Sequence, residues 1–181
     1  LTSRIRGAEN AWALSIEGGA KSEPEPAAHP YGTRVEVRDL FYATPARLKF
    51  LKTARTEQMY AREIMDRLAM ARPDVGFTLS GDNNKTILNY PACEGDLFDA
   101  RLKRLGAVMG REFQDNALQI EAEREGIRLT GYAGVPTLNR GNAQMQFMFV
   151  NGRPVKDRLL QGAVRGAYQD FLARDRHPLL A

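Results

Sequence analysis

The sequence predicts an α+β chain, and three observations carry that reading. Apolar and polar residues alternate over short runs such as Val35 and Val37, the mark of half-buried strands. Between those runs, Tyr60, Ile64, Leu68 and Ala71 recur at helical spacing. Turn dipeptides, Asn151-Gly152 among them, separate strands and helices in both halves.

Trp12, Leu14 and Ile16 alternate and predict a first strand, with Gly18 to Gly32 (GGAKSEPEPAAHPYG) as a long irregular loop. Val35 and Val37 mark the returning strand. A helix over 56–71 follows, capped by Thr56 and stopped by Pro73, with Tyr60, Ile64, Leu68 and Ala71 inward. Phe77 and Leu79 pair with Ile87 and Leu88 around Gly81-Asp82-Asn83-Asn84 as a hairpin. Asp96 caps a helix that buries Phe98, Leu102 and Leu105 and ends at Gly106. Leu118 and Ile120 pair with Ile127 and Leu129 across a Glu-Gly turn, and Met145, Phe147 and Phe149 form a further strand. The last helix runs over 157–172 with Leu160, Val164, Ala167 and Phe171 inward. Gly162 and Gly166, four apart on it, read as a site of close helix–sheet packing.

At 181 residues the chain fits one large domain or parts of two. A lone Cys93 excludes an internal disulfide and a cysteine-based zinc site, and His29 and His177 lie too far apart to suggest another metal centre. No apolar run approaches the roughly 18 residues of a membrane helix, so a reducing, aqueous compartment is expected. The chain lacks an initiator Met and both ends read as cut, which suggests a fragment. No Walker-type loop, dinucleotide fingerprint or paired-histidine metalloprotease motif is present, and no local nucleophile–base pair stands out.

The net charge of +4 leans toward a polyanionic partner. Thr44 to Arg55 (TPARLKFLKTAR) carries Arg47, Lys49, Lys52 and Arg55 without one carboxylate, the pattern a phosphate backbone attracts. A solvated basic face would give the same pattern. Arg153, Lys156 and Arg158 surround the Asn151-Gly152 turn and a helix start capped by Asp157. A cation in the first turn opposes the helix dipole, so Arg158 suits either a bound phosphate or a distant carboxylate.

GTRVEVRDLFYATPARLKFLK (32–52) closely resembles the GT-x-V-x-V-x-DLFYNTPAR-x-KFL signature of the MutL mismatch-repair family. FVNGRPVKDRLL (149–160) resembles that family's FVNGR-x-V-x-D segment, and the likeness spans essentially the whole chain. The resemblance implies the C-terminal part of a GHKL-type ATPase α/β sandwich over 1–92. A transducer domain with a ribosomal-protein-like βαβ fold, truncated at its C-terminus, would follow over 93–181. It implies a bacterial, cytoplasmic, nucleoid-associated clamp that closes on DNA when ATP and Mg bind, forming a homodimer in the full-length protein. Its partners would be single- and double-stranded DNA held without sequence preference, the mismatch-recognition protein MutS, and a downstream nuclease and helicase.

Residue by residue, Gly32 and Thr33 match the motif beside the nucleotide, and Lys49, Lys52, Arg153 and Arg158 match basic positions of the family's DNA groove. The motifs bearing the catalytic glutamate, the adenine contact and the glycine-rich lid have no match here, nor does the HPAK-like lysine segment. Ala43 replaces the usual asparagine and Leu48 a frequent arginine. The family's weak ATPase activity is therefore not expected of this chain alone, which is expected to bear no catalytic residue and to bind no cofactor. A type II topoisomerase subunit of the same ATPase class, or an interaction module with an incidental basic surface, are the alternatives.

Overall fold

The structure is a computed structural model that describes the backbone of residues 1–181 and every side chain except those of Asn83 and Leu97. The α+β class holds. Contacts group the chain into two units, Leu1–Thr53 and Ala54–Ala181. The expected division near residue 92 therefore falls inside the second unit.

In the first unit, β1 (Thr2–Arg4), β2 (Ala11–Ala13), β5 (Glu25–Ala27) and β6 (Gly32–Arg34) form an antiparallel sheet in the order β5-β2-β1-β6. Between β2 and β5, β3 (Ile16–Glu17) and β4 (Ala20–Lys21) make a small hairpin. The stretch expected to be irregular is thus partly ordered. Gly18 and Gly19, at φ 57° and 91°, supply the left-handed turn that closes β3 on β4. Pro26 sits in the edge strand β5, where a missing N–H costs no ladder bond.

The burial phase of β2 is the reverse of the one expected: Ala11 is buried and Trp12 is exposed. Alternation identifies a strand but not which face finds a cover. The returning strand is also shorter than expected, because β6 stops at Arg34 and leaves Val35 and Val37 exposed.

The second unit opens with α1 (Ala54–Ala71), which starts two residues before the expected cap at Thr56. Ala69 and Met70 are its buried residues, whereas Tyr60, Ile64 and Leu68 stay largely exposed. The neighbouring stripe is the one that meets a partner, as Met65 and Ala69 pack against Leu88 and Tyr90. Those two residues belong to β8 (Thr86–Tyr90), hairpinned to β7 (Phe77–Ser80) in the expected position, with Leu79 opposite Leu88.

Asp96 caps α2 (Leu97–Met109) as expected, its Oδ1 accepting from the amides of Phe98 (2.7 Å) and Asp99 (3.2 Å). The helix does not stop at Gly106. It runs on to Gly110, whose φ of 99° ends it, and α3 (Arg111–Asn116) follows. A Cβ on Gly106 would fall within the Gln114 amide, so this glycine makes room for α3 rather than ending α2. Arg104 lies on the inner face of α2 and is 1% exposed. Its Nη2 donates to the carbonyls of Pro73 (3.1 Å), Val75 (2.9 Å) and Pro91 (2.8 Å), tying α2 to both ends of the β7–β8 hairpin.

β9 (Ala117–Arg124) and β10 (Ile127–Gly134) pair along their whole length around Glu125-Gly126, at φ 52° and 75°. The register sets Leu118 against Ala133 and Leu129 against Ala122, so the large apolar residues interleave instead of meeting in pairs. β11 (Asn139–Arg140) is followed by a second hairpin, β12 (Met148–Val150) with β13 (Arg153–Val155). The strand expected over Met145, Phe147 and Phe149 therefore starts at Met148. Residues 145–147 bond instead to Leu180, and Ala181 exchanges two backbone bonds with Tyr132. This last stretch follows β14 (His177–Pro178), which pairs with β11, and it seats Leu179 in the core with Met70, Leu105, Met109, Phe113, Tyr132, Leu138 and Phe147.

α4 (Arg158–Ala167) is shorter than expected; the chain tightens after Gly166 into turns that include Tyr168, whose hydroxyl donates to the Gly134 carbonyl (2.8 Å). Phe171 stays exposed outside the helix. No atom lies within 4 Å of a Cβ built on Gly162 or Gly166, so the close packing expected there is absent. Among the described residues no helix is long and apolar enough to cross a membrane.

Burial, aided by the hydrogen bond its hydroxyl donates to Asp66 (2.7 Å), pushes the Tyr90 phenol up to about 12. A raised value keeps this contribution whole below about pH 10, where the unfolded tyrosine titrates, and removes it as pH rises through about 12. Tyr90→Phe should start about 1 kcal/mol less stable near neutral pH and lose stability less steeply between about pH 10 and 12. Urea unfolding across that range measures it, and equal slopes for the two proteins would refute it.

Candidate phosphate-binding corners

The first corner begins with β6, which Gly32 opens. Gly32 has φ 124° and nothing within 4 Å of where a Cβ would stand, so a ligand can approach its backbone. Thr33 sits opposite Ser3 in the β1–β6 ladder, and their hydroxyls share a 2.8 Å hydrogen bond. The Thr33 hydroxyl is exposed and retains capacity for one more partner. Among the described residues no cluster of acidic, histidine or cysteine side chains is arranged to hold a metal ion.

From residue 39 the chain makes a chain of tight turns. Tyr42 N–H donates to the Asp39 carbonyl (2.8 Å), Thr44 to Phe41 (2.9 Å) and Arg47 to Thr44 (2.9 Å). Asp39 and Phe41 both take positive φ, 48° and 71°. Aspartate tolerates that region, but for a bulky phenylalanine it is strained, and nothing in the sequence signals it. The turns deliver a short 3-10 helix, Pro45–Phe50, with no buried residue and no acid in its first turn. Lys49 lies on this helix and Lys52 just after it, both exposed. Among the described residues neither Arg47 nor Lys49 makes an ion pair with a carboxylate.

The second corner lies in the second unit and is set by the β12–β13 turn. Asn151 and Gly152 adopt φ 50° and 75°, the left-handed pair of a tight hairpin, and Arg153 leaves the turn opposite Val150. Asp157 Oδ1 accepts from the amides of Leu159 (2.9 Å) and Leu160 (3.0 Å), which fixes Arg158 at the first position of α4. The three cations here part company. Lys156 Nζ reaches Glu63 Oε1 at 3.1 Å, and that contact together with Arg67 holds the Glu63 carboxyl below its usual value. Arg153 and Arg158 remain exposed, and no described carboxylate pairs with either.

Sequence reasoning thus located Gly32, Thr33, Lys49, Lys52, Arg153 and Arg158 on accessible backbone, the first four in one unit and the last two in the other. It overlooked Arg165, Arg174 and Arg176, which gather with Arg158 around one cavity. The R-x-R spacing of Arg174 and Arg176 was the available signal.

Removing the cap, Asp157→Ala, should cost about 1 kcal/mol and speed hydrogen exchange at Leu159 and Leu160. Unchanged exchange at both amides would show that Asp157 does not hold the start of α4.

Comparison with known proteins follows the same lines. A family model described as DNA mismatch repair protein, C-terminal domain, matches residues 105–181. Over the whole chain, 67% of residues are identical to the DNA mismatch repair protein MutL of Rhodospirillum rubrum and 58% to that of Bradyrhizobium diazoefficiens. The chain spans 29% and 30% of the length of those proteins. A solved structure of the Aquifex aeolicus MutL ATPase domain complexed with ADP is 27% identical, with a TM-score of 0.72 over 99% of this chain and 64% of that one. The N-terminal domain of a DNA repair protein, 20% identical, shares the fold with a TM-score of 0.76 over 99% of this chain and 58% of that one. The expected fold, the later part of a GHKL-type ATPase followed by a transducer-like α+β region, agrees with these neighbours. Signature, fold and whole-chain identity converge: this chain belongs to the MutL family of DNA mismatch-repair proteins.

Proposed function

We propose that this chain serves DNA mismatch repair as the DNA-holding, nucleotide-linked part of an ATP-dependent clamp. The observation that carries the reading is uncompensated charge. Ion pairs elsewhere occupy arginines such as Arg38, Arg67, Arg128 and Arg140, while Arg47, Lys49, Arg153 and Arg158 have no described carboxylate partner. Exposed cations held on fixed turns suit a phosphate backbone, and phosphate contacts carry no base information. The corner at Lys49 and Lys52 and the corner at Arg153 and Arg158 would each hold single- or double-stranded DNA without reading its sequence.

Gly32 and Thr33 would contribute to a nucleotide site completed by motifs with no match in this chain; bound ATP supplies the phosphoryl group whose hydrolysis resets a clamp. Thr33 would donate or accept at that site, and Gly32 would let the backbone approach. The ADP complex of the Aquifex relative supports nucleotide binding in the family fold. Division at residues 92 and 93 into ATPase and transducer parts, a homodimeric full-length protein with weak ATPase activity, and service to MutS, a nuclease and a helicase in the bacterial cytoplasm at the nucleoid belong to the same proposal. The chain by itself would not hydrolyse ATP.

Duplex-DNA affinity across a salt series tests the reading. Four phosphate contacts should give a log–log slope of roughly −3 to −4, at least halved by combining Lys49→Glu with Arg158→Glu. A shallow slope that ignores the double variant would refute the phosphate corners. Thr33→Val in the full-length protein should weaken ATP binding about tenfold, the loss of one hydrogen bond in a polar site; wild-type ATP affinity in that variant would remove Thr33 from the nucleotide site.

A further inference from the structure

A second basic feature lies beside α4 and is not part of either corner's turn. A cavity of about 860 Å³ opens between this helix and the segment 172–178, and Arg158, Arg165, Arg174 and Arg176 all line it. The helix turns Arg158, Gly162, Arg165 and Gly166 to the same side, since three- and four-residue steps stack on one face. Both glycines have empty space where a Cβ would stand, so the helix backbone itself forms part of the cavity wall. The feature that read as a packing stripe in the sequence therefore makes room instead.

Each wall is held by a hydrogen bond. Arg165 Nη2 donates to the Arg174 carbonyl at 2.9 Å, and the Tyr168 hydroxyl fastens the end of the helix to Gly134. Four guanidinium groups face one lining carboxylate, Asp170, and no ion pair joins it to any of them among the described residues. Like charges gathered around a cavity repel one another and favour the entry of an anion. Guanidinium is the group suited to binding phosphate through paired N–H donors. The volume lies in the range of pockets that take whole small molecules, so more than one phosphate fits.

We propose that this cavity is an anion site for consecutive phosphate groups, with Arg174 and Arg176 as its main charge donors and Arg165 positioning the loop that carries Arg174. The shared chemistry is a phosphodiester or polyphosphate chain, supplied either by a nucleic-acid strand or by a free polyphosphate.

The test uses the full chain with Arg174→Gln and Arg176→Gln combined, compared with the wild type and with Lys21→Gln, an exposed lysine on β4. Calorimetric titration with inorganic tripolyphosphate forms one arm, and titration with a short single-stranded oligonucleotide forms the other. The proposal expects the double Gln variant to weaken at least one probe tenfold or more, with Lys21→Gln changing that probe less than about twofold. Loss on the oligonucleotide alone assigns the site to a nucleic-acid strand, and loss on tripolyphosphate alone assigns it to a free polyphosphate. The Lys pair, Arg174→Lys with Arg176→Lys, should recover part of the binding, and an unchanged thermal midpoint in the Gln pair excludes misfolding as the cause. Undiminished binding of both probes, or an equal loss in Lys21→Gln, would overturn the proposal. Arg158 and Lys49 are intact in the Gln pair, so this result and that of the duplex salt series can fail independently.

Discussion

In the second unit, the joining of one helix to one hairpin rests on a charge placed where water cannot reach it. Arg104 is almost wholly buried, lies 5.8 Å from the Phe77 ring and 5.5 Å from the Tyr90 ring, and forms no ion pair with a carboxylate among the described residues. Its compensation is three backbone carbonyls, those of Pro73, Val75 and Pro91, which share the two hydrogens of Nη2. A buried ion without such acceptors would cost several kcal/mol, so the carbonyls and the guanidinium must be assembled together. The requirement binds the end of α1, both ends of the β7–β8 hairpin and α2 into one body. Its Nη1 has no partner among the described residues, so the arrangement is tight but not fully satisfied.

A similar economy shapes the two corners. Each places its cations on backbone fixed by hydrogen bonds rather than on long flexible segments. Turns from Asp39 to Arg47 fix the 3-10 helix that carries Lys49, while the left-handed Asn151-Gly152 pair and the Asp157 cap fix Arg153 and Arg158. Cations held this way would lose less freedom on binding a phosphate. Lys156 differs because Glu63 has already claimed it, and the same carboxylate also takes Arg67 at 2.6 Å. That ion pair joins α1 to the end of β13, so one lysine of the basic run serves the fold.

The cavity beside α4 shows how a motif can mislead when read alone. Two glycines four apart are the usual sign of close approach between backbones, yet here the space above them is empty and lined by arginines. Local spacing specifies that a side chain is missing. It does not specify what fills the place.

The sequence alone determined what depends on near neighbours. Asp96 and Asp157 marked helix starts because a carboxylate reaches amides two and three residues ahead. Gly81 to Asn84 marked a hairpin and Asn151-Gly152 a turn because these residue types favour tight turns, although the return of the chain as β13 after Asn151-Gly152 came only from the structure. The long signature over 32–52 and the segment 149–160 carried the family, since a match of that length and order is specific. Only the tertiary structure decided which faces are covered. Tyr60, Ile64 and Leu68 make as good an apolar stripe as Met65 and Ala69, but β8 packs against the latter. Trp12 lies outward because its strand's other face holds Ala11 buried, and Gly106 is set by Gln114 of another helix rather than by a helix stop. Burial and close approach depend on partners distant in sequence, and a one-dimensional pattern carries the periodicity of a face without the identity of what meets it.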